Sequence, residues 1–255
     1  MIRLIACDVD GTLLQNGSLT VPPAVFAHIR RLAARGIAFA PASGRQYASL
    51  RRLFAPVADG LWYLCENGGA LFAPGSPGPL AASTPMDRDR AVALCRDILA
   101  QPECEVLISG ANTSYLCPKG PDIADHIRLV VGNNTALVSA PEEVPEDILK
   151  VSAWCPAGAQ PVQARLAPRW SVFHPALAGD TWLDFGLADK GTGLRQLCAA
   201  LGIAPEQVMA FGDNWNDLPM LTLAGEPWLM EGADPALRTR LPRCCRRVED
   251  VLAGL

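Results

Sequence analysis

Residues 2–13 read Ile2-Arg3-Leu4-Ile5-Ala6-Cys7-Asp8-Val9-Asp10-Gly11-Thr12-Leu13. The run as far as Cys7 is apolar enough for a short buried strand, and Gly11 permits a sharp turn of the backbone behind it. In an open parallel sheet, ligands gather beyond the carboxyl ends of the strands. This stretch therefore predicts a strand that brings Asp8 and Asp10 to the edge of a sheet.

Helices and strands alternate on both sides of a central region. The N-terminal part predicts a helix over 22–35, a strand over 37–41, a helix over 45–54 and a strand over 61–65. The C-terminal part predicts a helix over 190–201, a strand over 208–211 and a helical stretch over 215–223. Such alternation favours an α/β fold, with a parallel sheet covered by helices on both faces.

The central region differs from both ends in composition and in its predicted elements. A loop rich in proline and glycine at 73–79 interrupts regular structure. Beyond it we predict a helix over 87–100 and strands over 105–109, 113–116, 149–154, 170–173 and 182–185. The simplest explanation is a core domain formed by residues 1–79 and 188–255, with an α/β module inserted at 80–187.

Composition excludes several classes of protein. The chain has 255 residues, 50% of them hydrophobic and 19% charged, with a net charge of −4. Disorder and a general nucleic-acid-binding role are therefore not expected. No apolar run approaches the roughly 18 to 20 residues that span a bilayer, and the first residues lack the pattern of a signal peptide. We expect a cytoplasmic protein with no membrane or nucleic-acid partner.

The two aspartates after the first strand can divide the work of a reaction. Asp8 could attack as a carboxylate, since aspartate is known to form acyl phosphates. Asp10 could protonate a leaving oxygen and later deprotonate water. The alternative is that Asp-x-Asp-Gly is merely a turn after a strand.

A second polar group follows the strand predicted at 208–211, Gly212-Asp213-Asn214-Trp215-Asn216-Asp217. Mg2+ prefers oxygen ligands in octahedral geometry, and Asp213 is the natural protein ligand beside Asp8 and Asp10. The structural alternative is a helix N-cap, a position that Asp and Asn favour.

Two shorter groups suit a phosphate. Ser43-Gly44-Arg45 follows the second predicted strand, where a hydroxyl and backbone amides could bind an anion. Lys190-Gly191 begins a predicted helix, and Lys190 is the only lysine after residue 150. For each group alone, capping or surface placement is the favoured explanation. Four polar groups at strand ends and helix starts, in this chain order, are hard to obtain by chance.

In combination, these motifs resemble those of the haloacid dehalogenase superfamily, and specifically its Cof-type phosphatases of subfamily IIB. The first motif is matched by residues 8–14, the second by 43–45, the third by 190–191 and the fourth by 212–217. Residues 66–69 and 182–185 are lesser points of similarity. One departure is Met230-Glu231-Gly232-Ala233, which stands where the family usually has Met-Gly-Asn-Ala.

The resemblance implies a Rossmann-like core with an inserted cap and a Mg2+-dependent phosphatase that forms an aspartyl-phosphate. It implies catalytic roles for Asp8 and Asp10, and Mg2+ ligation by Asp8, by the backbone carbonyl of Asp10 and by Asp213. Ser43, Gly44, Lys190 and Asn216 would bind the phosphoryl group of a small phosphorylated metabolite. The hinges of the cap would lie near 73–79 and 186–189, and the protein would be a monomer or a small homo-oligomer.

Three other functions are considered. A dehalogenase of the same superfamily would need the nucleophile but not Asp10. A phosphomutase-like phosphoryl transferase would share the first motif, although the fourth fits the Cof-type pattern better. A catalytically silent phosphate-binding protein would not need the full set of catalytic side chains that is present here.

Overall fold

The structure is a computed structural model that describes residues 1–120, 122–127 and 132–255. Its contacts divide the chain into two compact units. The first comprises Met1–Gly44, Leu50–Ala82 and Ala188–Leu255, and the second comprises Arg45–Ser49 and Ser83–Leu187. Within the described residues, no helix combines the length and the apolar character needed to cross a membrane.

The elements of the N-terminal half are β1 (Leu4–Cys7), α1 (Pro23–Ala33), β2 (Ala38–Pro41), α2 (Tyr47–Leu53), β3 (Tyr63–Cys65), β4 (Ala70–Phe72), β5 (Leu80–Ser83), α3 (Arg88–Leu99), β6 (Glu105–Ser109), β7 (Ser114–Leu116) and α4 (Asp122–Asp125). The C-terminal half continues with β8 (Thr135–Leu137), β9 (Lys150–Trp154), α5 (Gln160–Leu166), β10 (Ala176–Ala178), β11 (Trp182–Gly186), α6 (Lys190–Leu201), β12 (Val208–Gly212), α7 (Leu218–Leu223), β13 (Glu226–Met230), α8 (Pro235–Arg240), β14 (Cys244–Cys245) and α9 (Val248–Ala253).

The first unit is built on a parallel sheet in the order β14-β13-β12-β1-β2. Strand β1 lies between β12 and β2, and Leu4 is in register with both Val208 and Ala38. One face of β1 packs on Leu194 and Leu197 of α6 and on α7. The predicted α/β fold with a parallel sheet is confirmed, and its carboxyl edge carries Asp8.

The strand predicted at 61–65 does not extend that sheet. It forms β3, which pairs antiparallel with β4, and only a single parallel bridge joins Leu64 to Ala42 at the end of β2. The backbone reverses directly after β3 because Glu66, Asn67 and Gly68 all have positive φ values. The returning strand β4 therefore pairs with β3.

The second unit contains a largely antiparallel sheet in the order β10-β11-β9-β6-β7-β8. Its apolar face buries Val106, Ile108, Val151 and Phe185 against residues of α3 and α5. These strands confirm those predicted at 105–109, 113–116, 149–154 and 182–185.

The prediction of a strand at 170–173 is wrong. Residues Ser171–Phe173 form a 3-10 turn instead. The buried rings of Trp170 and Phe173 stack with their centroids 6.1 Å apart. A helical turn puts side chains three residues apart on the same side, whereas a strand would point them to opposite faces.

Candidate active site

Asp8 is the first residue after β1 and is fixed by the sheet on both sides. Its N–H donates to the carbonyl of Phe211 on the β12 side at 2.9 Å. On the other side, the carbonyl of the preceding Cys7 accepts from the N–H of Ala42 at 2.8 Å. The carboxylate is consequently held at the edge of the sheet, where it is buried.

Lys190 joins two carboxylates inside the first unit. It is the first residue of α6, and only 1% of its surface is exposed. Its Nζ lies 2.5 Å from Asp8 Oδ1 and 2.5 Å from Asp217 Oδ1. Burial alone would lower the pKa of this ammonium, but the charges of Asp217 and Asp8 outweigh burial and raise it. The lysine therefore stays protonated between its two partners.

Asp217 is the site residue to which the sequence analysis gave no role. It ends the 3-10 turn Trp215–Asp217 and is fully buried. Its Oδ2 accepts from the N–H of Asp213 at 2.9 Å and from the N–H of Asn214 at 3.0 Å, while Oδ1 contacts Lys190. Both oxygens are thus occupied in positioning other groups. The sequence signal that could have identified Asp217 was its position four residues after Asp213.

The three carboxylates of Asp8, Asp213 and Asp217 form what we call the carboxylate cluster, with one oxygen of each within 4.8 Å of the others. Burial and the charge of Asp217 raise the pKa of Asp8 well above its ordinary value against the opposing effect of Lys190. Burial and Asp217 also raise the pKa of Asp213.

This cluster fits a divalent cation. Three carboxylates face one ammonium, so negative charge is in excess, and these hard oxygen donors are of the kind that Mg2+ prefers. Among the described residues, the buried Oδ2 of Asp8 has no hydrogen-bond partner. The sequence analysis named Asp10 as a ligand through its backbone; its side chain is exposed and lies outside the cluster.

Gly11 lets the first motif approach the fourth. Its φ is +90°, and a Cβ added there would collide with the carboxylate of Asp213. The neighbouring Thr12 donates from Oγ1 to Asp213 Oδ1 at 3.2 Å. Only glycine satisfies both the backbone conformation and the close approach at this position.

Ser43, Gly44 and Asn216 meet around a residue that was quoted only as a lesser point of similarity, Asn67. The N–H of Asn67 donates to the carbonyl of Ser43 at 3.0 Å, and its Oδ1 accepts from Asn216 Nδ2 at 3.4 Å. A Cβ on Gly44 would lie 3.2 Å from the same amide side chain. The second and fourth motifs are therefore joined through Asn67.

Comparison with known proteins shows the family. A family model described as haloacid dehalogenase-like hydrolase matches residues 5–250. The 5-amino-6-(5-phospho-D-ribitylamino)uracil phosphatase YbjI of Escherichia coli (strain K12) is 28% identical over 92% of this chain and 88% of its own. An HMP-PP phosphatase of Serratia proteamaculans is 26% identical over 95% of this chain and 89% of its own.

Solved structures are similar over the full length. A crystal structure from Eubacterium rectale is 30% identical, has a TM-score of 0.88 and covers 99% of this chain and 98% of its own. That of TM0651 from Thermotoga maritima, at 22% identity, has a TM-score of 0.83 and covers 100% of this chain and 98% of its own. The second similarity concerns the fold alone.

Proposed function

The chain belongs to the haloacid dehalogenase-like hydrolases and is a phosphomonoester hydrolase of that family; on this premise we propose that it uses Mg2+ and an aspartyl-phosphate intermediate to dephosphorylate a small metabolite. The observation that carries the proposal is the buried contact of Lys190 with Asp8 inside the carboxylate cluster. Two relatives named as phosphatases of small phosphorylated metabolites support the substrate class.

The two oxygens of Asp8 have different surroundings. Oδ1 is held by Lys190, whereas Oδ2 has no hydrogen-bond partner among the described residues. We assign the carboxylate of Asp8 as the nucleophile. It attacks phosphorus, and the bond from phosphorus to the leaving oxygen breaks as the acyl phosphate forms.

Asp10 serves as the general acid and base. Asp10 is an exposed residue two positions after Asp8. It protonates the leaving oxygen in the first step and takes a proton from water in the second. That water attacks phosphorus, the bond to Asp8 breaks, and inorganic phosphate leaves with the carboxylate restored.

Ser43, Gly44, Lys190 and Asn216 hold the phosphoryl oxygens. Lys190 supplies charge, and the other three supply hydrogen-bond donors at the ends of β2 and β12. Donors fixed before the reaction stabilise the charge that develops in the transition state without reorganising.

Mg2+ would be held by Asp8, the backbone carbonyl of Asp10 and Asp213. Asp217 positions these groups rather than binding metal, because both of its oxygens are already engaged. Bound Mg2+ would neutralise phosphate charge and favour the ionised form of the carboxylates around it.

We further propose that residues 80–187 form the cap that selects the substrate, inserted into a core of residues 1–79 and 188–255, and that the protein is cytoplasmic. A phosphomutase-like transferase would transfer the phosphoryl group to a second hydroxyl. A silent binding protein would release no inorganic phosphate. Release of inorganic phosphate from a panel of phosphorylated metabolites separates these alternatives from a hydrolase.

Removal of divalent metal should stop turnover and lower thermal stability together. With EDTA we expect turnover to fall more than about 100-fold, because charge stabilisation by a metal contributes several kcal/mol. Added Mg2+ should restore turnover and raise the melting temperature, since it relieves repulsion in the carboxylate cluster. Full turnover in EDTA would contradict a metal-dependent reaction.

A glycine pair tests the close approach at Gly11. Gly11→Ala and Gly17→Ala both place alanine at positive φ, +90° and +76°, and should cost similar strain of about 1–2 kcal/mol. Only the first adds a collision, with Asp213, since nothing lies within 4 Å of a Cβ at Gly17. We expect Gly11→Ala alone to weaken the apparent Mg2+ affinity, measured by titrating turnover and melting temperature. Equal affinity in both variants would disprove the steric role.

A further inference from the structure

Two buried thiols of the second unit face each other, and the proposed reaction uses neither of them. The Sγ atoms of Cys104 and Cys155 lie 3.1 Å apart. Cys104 directly precedes β6 and Cys155 directly follows β9, and both residues are buried. A single buried cysteine usually serves as a small apolar side chain. A pair in sulfur contact differs, because two thiols can be oxidised to one disulfide.

The sheet of the second unit places these two residues opposite each other. Strands β6 and β9 are antiparallel, with Glu105 in register with Trp154. Cys104 and Cys155 continue that register by one position. The N–H of Cys155 donates to the carbonyl of Thr181 at 2.8 Å, on the β11 side and away from β6. The cysteines therefore form a non-hydrogen-bonded pair, whose Cα atoms are typically about 4.5 Å apart, and a disulfide spans about 4.4–6.8 Å between Cα atoms.

Hydrogen bonds hold the backbone of both cysteines. Lys119 Nζ donates to the carbonyl of Cys104 at 2.6 Å, and the N–H of Cys104 donates to the carbonyl of Gln101 at 3.2 Å. On the other strand, the carbonyl of Cys155 accepts from the N–H of Gly158 at 2.8 Å. Two cysteines bond without backbone movement only where the backbone already brings them together. This pair needs rotation of its side chains alone.

The contact between the sulfurs also favours a reactive thiolate. The hydrogen bond with Cys104 lowers the pKa of Cys155, against the opposing effect of burial. The thiolate is the form of cysteine that reacts with oxidants. The path from solvent is short, because Glu103 and Pro156, the neighbours of the pair in sequence, are exposed. Local opening at this end of the sheet is enough to admit a small oxidant.

We propose that Cys104 and Cys155 are a redox modification site, at which a peroxide converts two thiols into a reversible disulfide that links β6 to β9. The Cys155 thiolate attacks one oxygen of hydrogen peroxide, the O–O bond breaks, and a sulfenic acid forms as the other oxygen leaves and is protonated to water. The sulfur of Cys104 then attacks the sulfenic sulfur, and the hydroxyl group departs with the thiol proton as a second water. The site lies apart from the phosphatase chemistry and does not depend on it.

Two molecules of a small thiol would reduce the bond again. In a reducing compartment such a disulfide is transient, so its presence would report exposure of the protein to oxidant. The bond would close a long loop, since the two cysteines are 51 positions apart. Closing a loop restricts the unfolded chain, and we expect the melting temperature to rise by about 5 °C or more.

Tryptic digestion of the unreduced full chain detects the bond directly. Cys104 lies in the peptide 97–119 together with Cys117, and Cys155 lies in the peptide 151–165. After treatment with hydrogen peroxide and alkylation of the remaining thiols, we expect mass spectrometry to find these two peptides joined. Dithiothreitol should separate them. The melting temperature should rise on oxidation and return to its starting value on reduction.

Cys117→Ala is the matched control. It removes the other cysteine of the same peptide, whose Sγ donates to the carbonyl of Ser139 at 3.3 Å. This variant should keep both the joined peptides and the rise in melting temperature. Cys104→Ala and Cys155→Ala should each lose both. Melting temperatures of the reduced variants check that each is folded, and if one is not, fragment masses of the joined parent peptides assign the bond to Cys104 or Cys117.

Three results would overturn the proposal. The first is a parent protein whose two peptides stay separate after peroxide treatment. The second is a bond assigned to Cys117 rather than Cys104, either by fragment masses or by joined peptides in Cys104→Ala. The third is a bond at the expected place that leaves the melting temperature unchanged, because the disulfide would then not link the two strands in the folded protein.

Discussion

Asp8→Asn should remove turnover while leaving the fold in place. The amide has nearly the shape of the carboxylate, and its oxygen can still accept from Lys190, but it cannot attack phosphorus. Removal of a catalytic nucleophile typically costs about 10,000-fold or more in kcat. The measurement is release of inorganic phosphate at saturating substrate and Mg2+. The loss should appear in kcat for every phosphate ester tested, because the same oxygen attacks each of them.

A matched control separates loss of the nucleophile from loss of a charge. Asp59→Asn also removes one carboxylate from the first unit, at an exposed ion pair with Arg51 Nη2 2.5 Å away. Exposed pairs contribute little, so we expect turnover and melting temperature close to those of the parent. Turnover of Asp8→Asn within tenfold of the parent would refute the nucleophile assignment.

Local patterns predicted the parts of the site that depend on neighbouring residues. The helix predicted at 190–201 is α6 at Lys190–Leu201, and the strand predicted at 105–109 is β6 at Glu105–Ser109. Asp8 and Asp213 each follow a run of apolar residues, so their placement beyond a strand end could be inferred without a structure. The strands that they follow, β1 and β12, are parallel neighbours, so the two aspartates come to the same edge of the sheet.

What could not be predicted depends on contacts distant in sequence. Asp217 looks like an ordinary capping residue until Lys190, which precedes it by 27 positions, is placed 2.5 Å from it. Asn67 likewise gains its significance only when Ser43 and Asn216 meet around it. Polar residues carry no hydrophobic period from which such pairings could be deduced. The fold of the backbone decides them.

Asp10→Asn should slow leaving-group departure far more than it weakens binding. The asparagine amide cannot act as a general acid. General acid–base catalysis contributes about 100- to 10,000-fold to the rate. The loss should depend on the ester, because an aryl oxide leaves without protonation while an alkoxide does not. We therefore expect kcat/KM for an alkyl phosphate, which reports the first step, to fall by a larger factor than kcat/KM for p-nitrophenyl phosphate.

The structure provides the internal control for this variant. The side chain of Asp10 is exposed and lies outside the carboxylate cluster, and the backbone carbonyl proposed to bind Mg2+ is unchanged by the substitution. Asp10→Asn should therefore keep the melting temperature and the apparent Mg2+ affinity of the parent. With p-nitrophenyl phosphate, whose leaving group needs no acid, slower breakdown of the acyl phosphate should let phosphorylated Asp8 accumulate, detectable by mass spectrometry after an acid quench. Equal losses of kcat/KM for the alkyl and aryl esters would show that Asp10 does not act as the acid in the first step, and would leave it a role only in activating water.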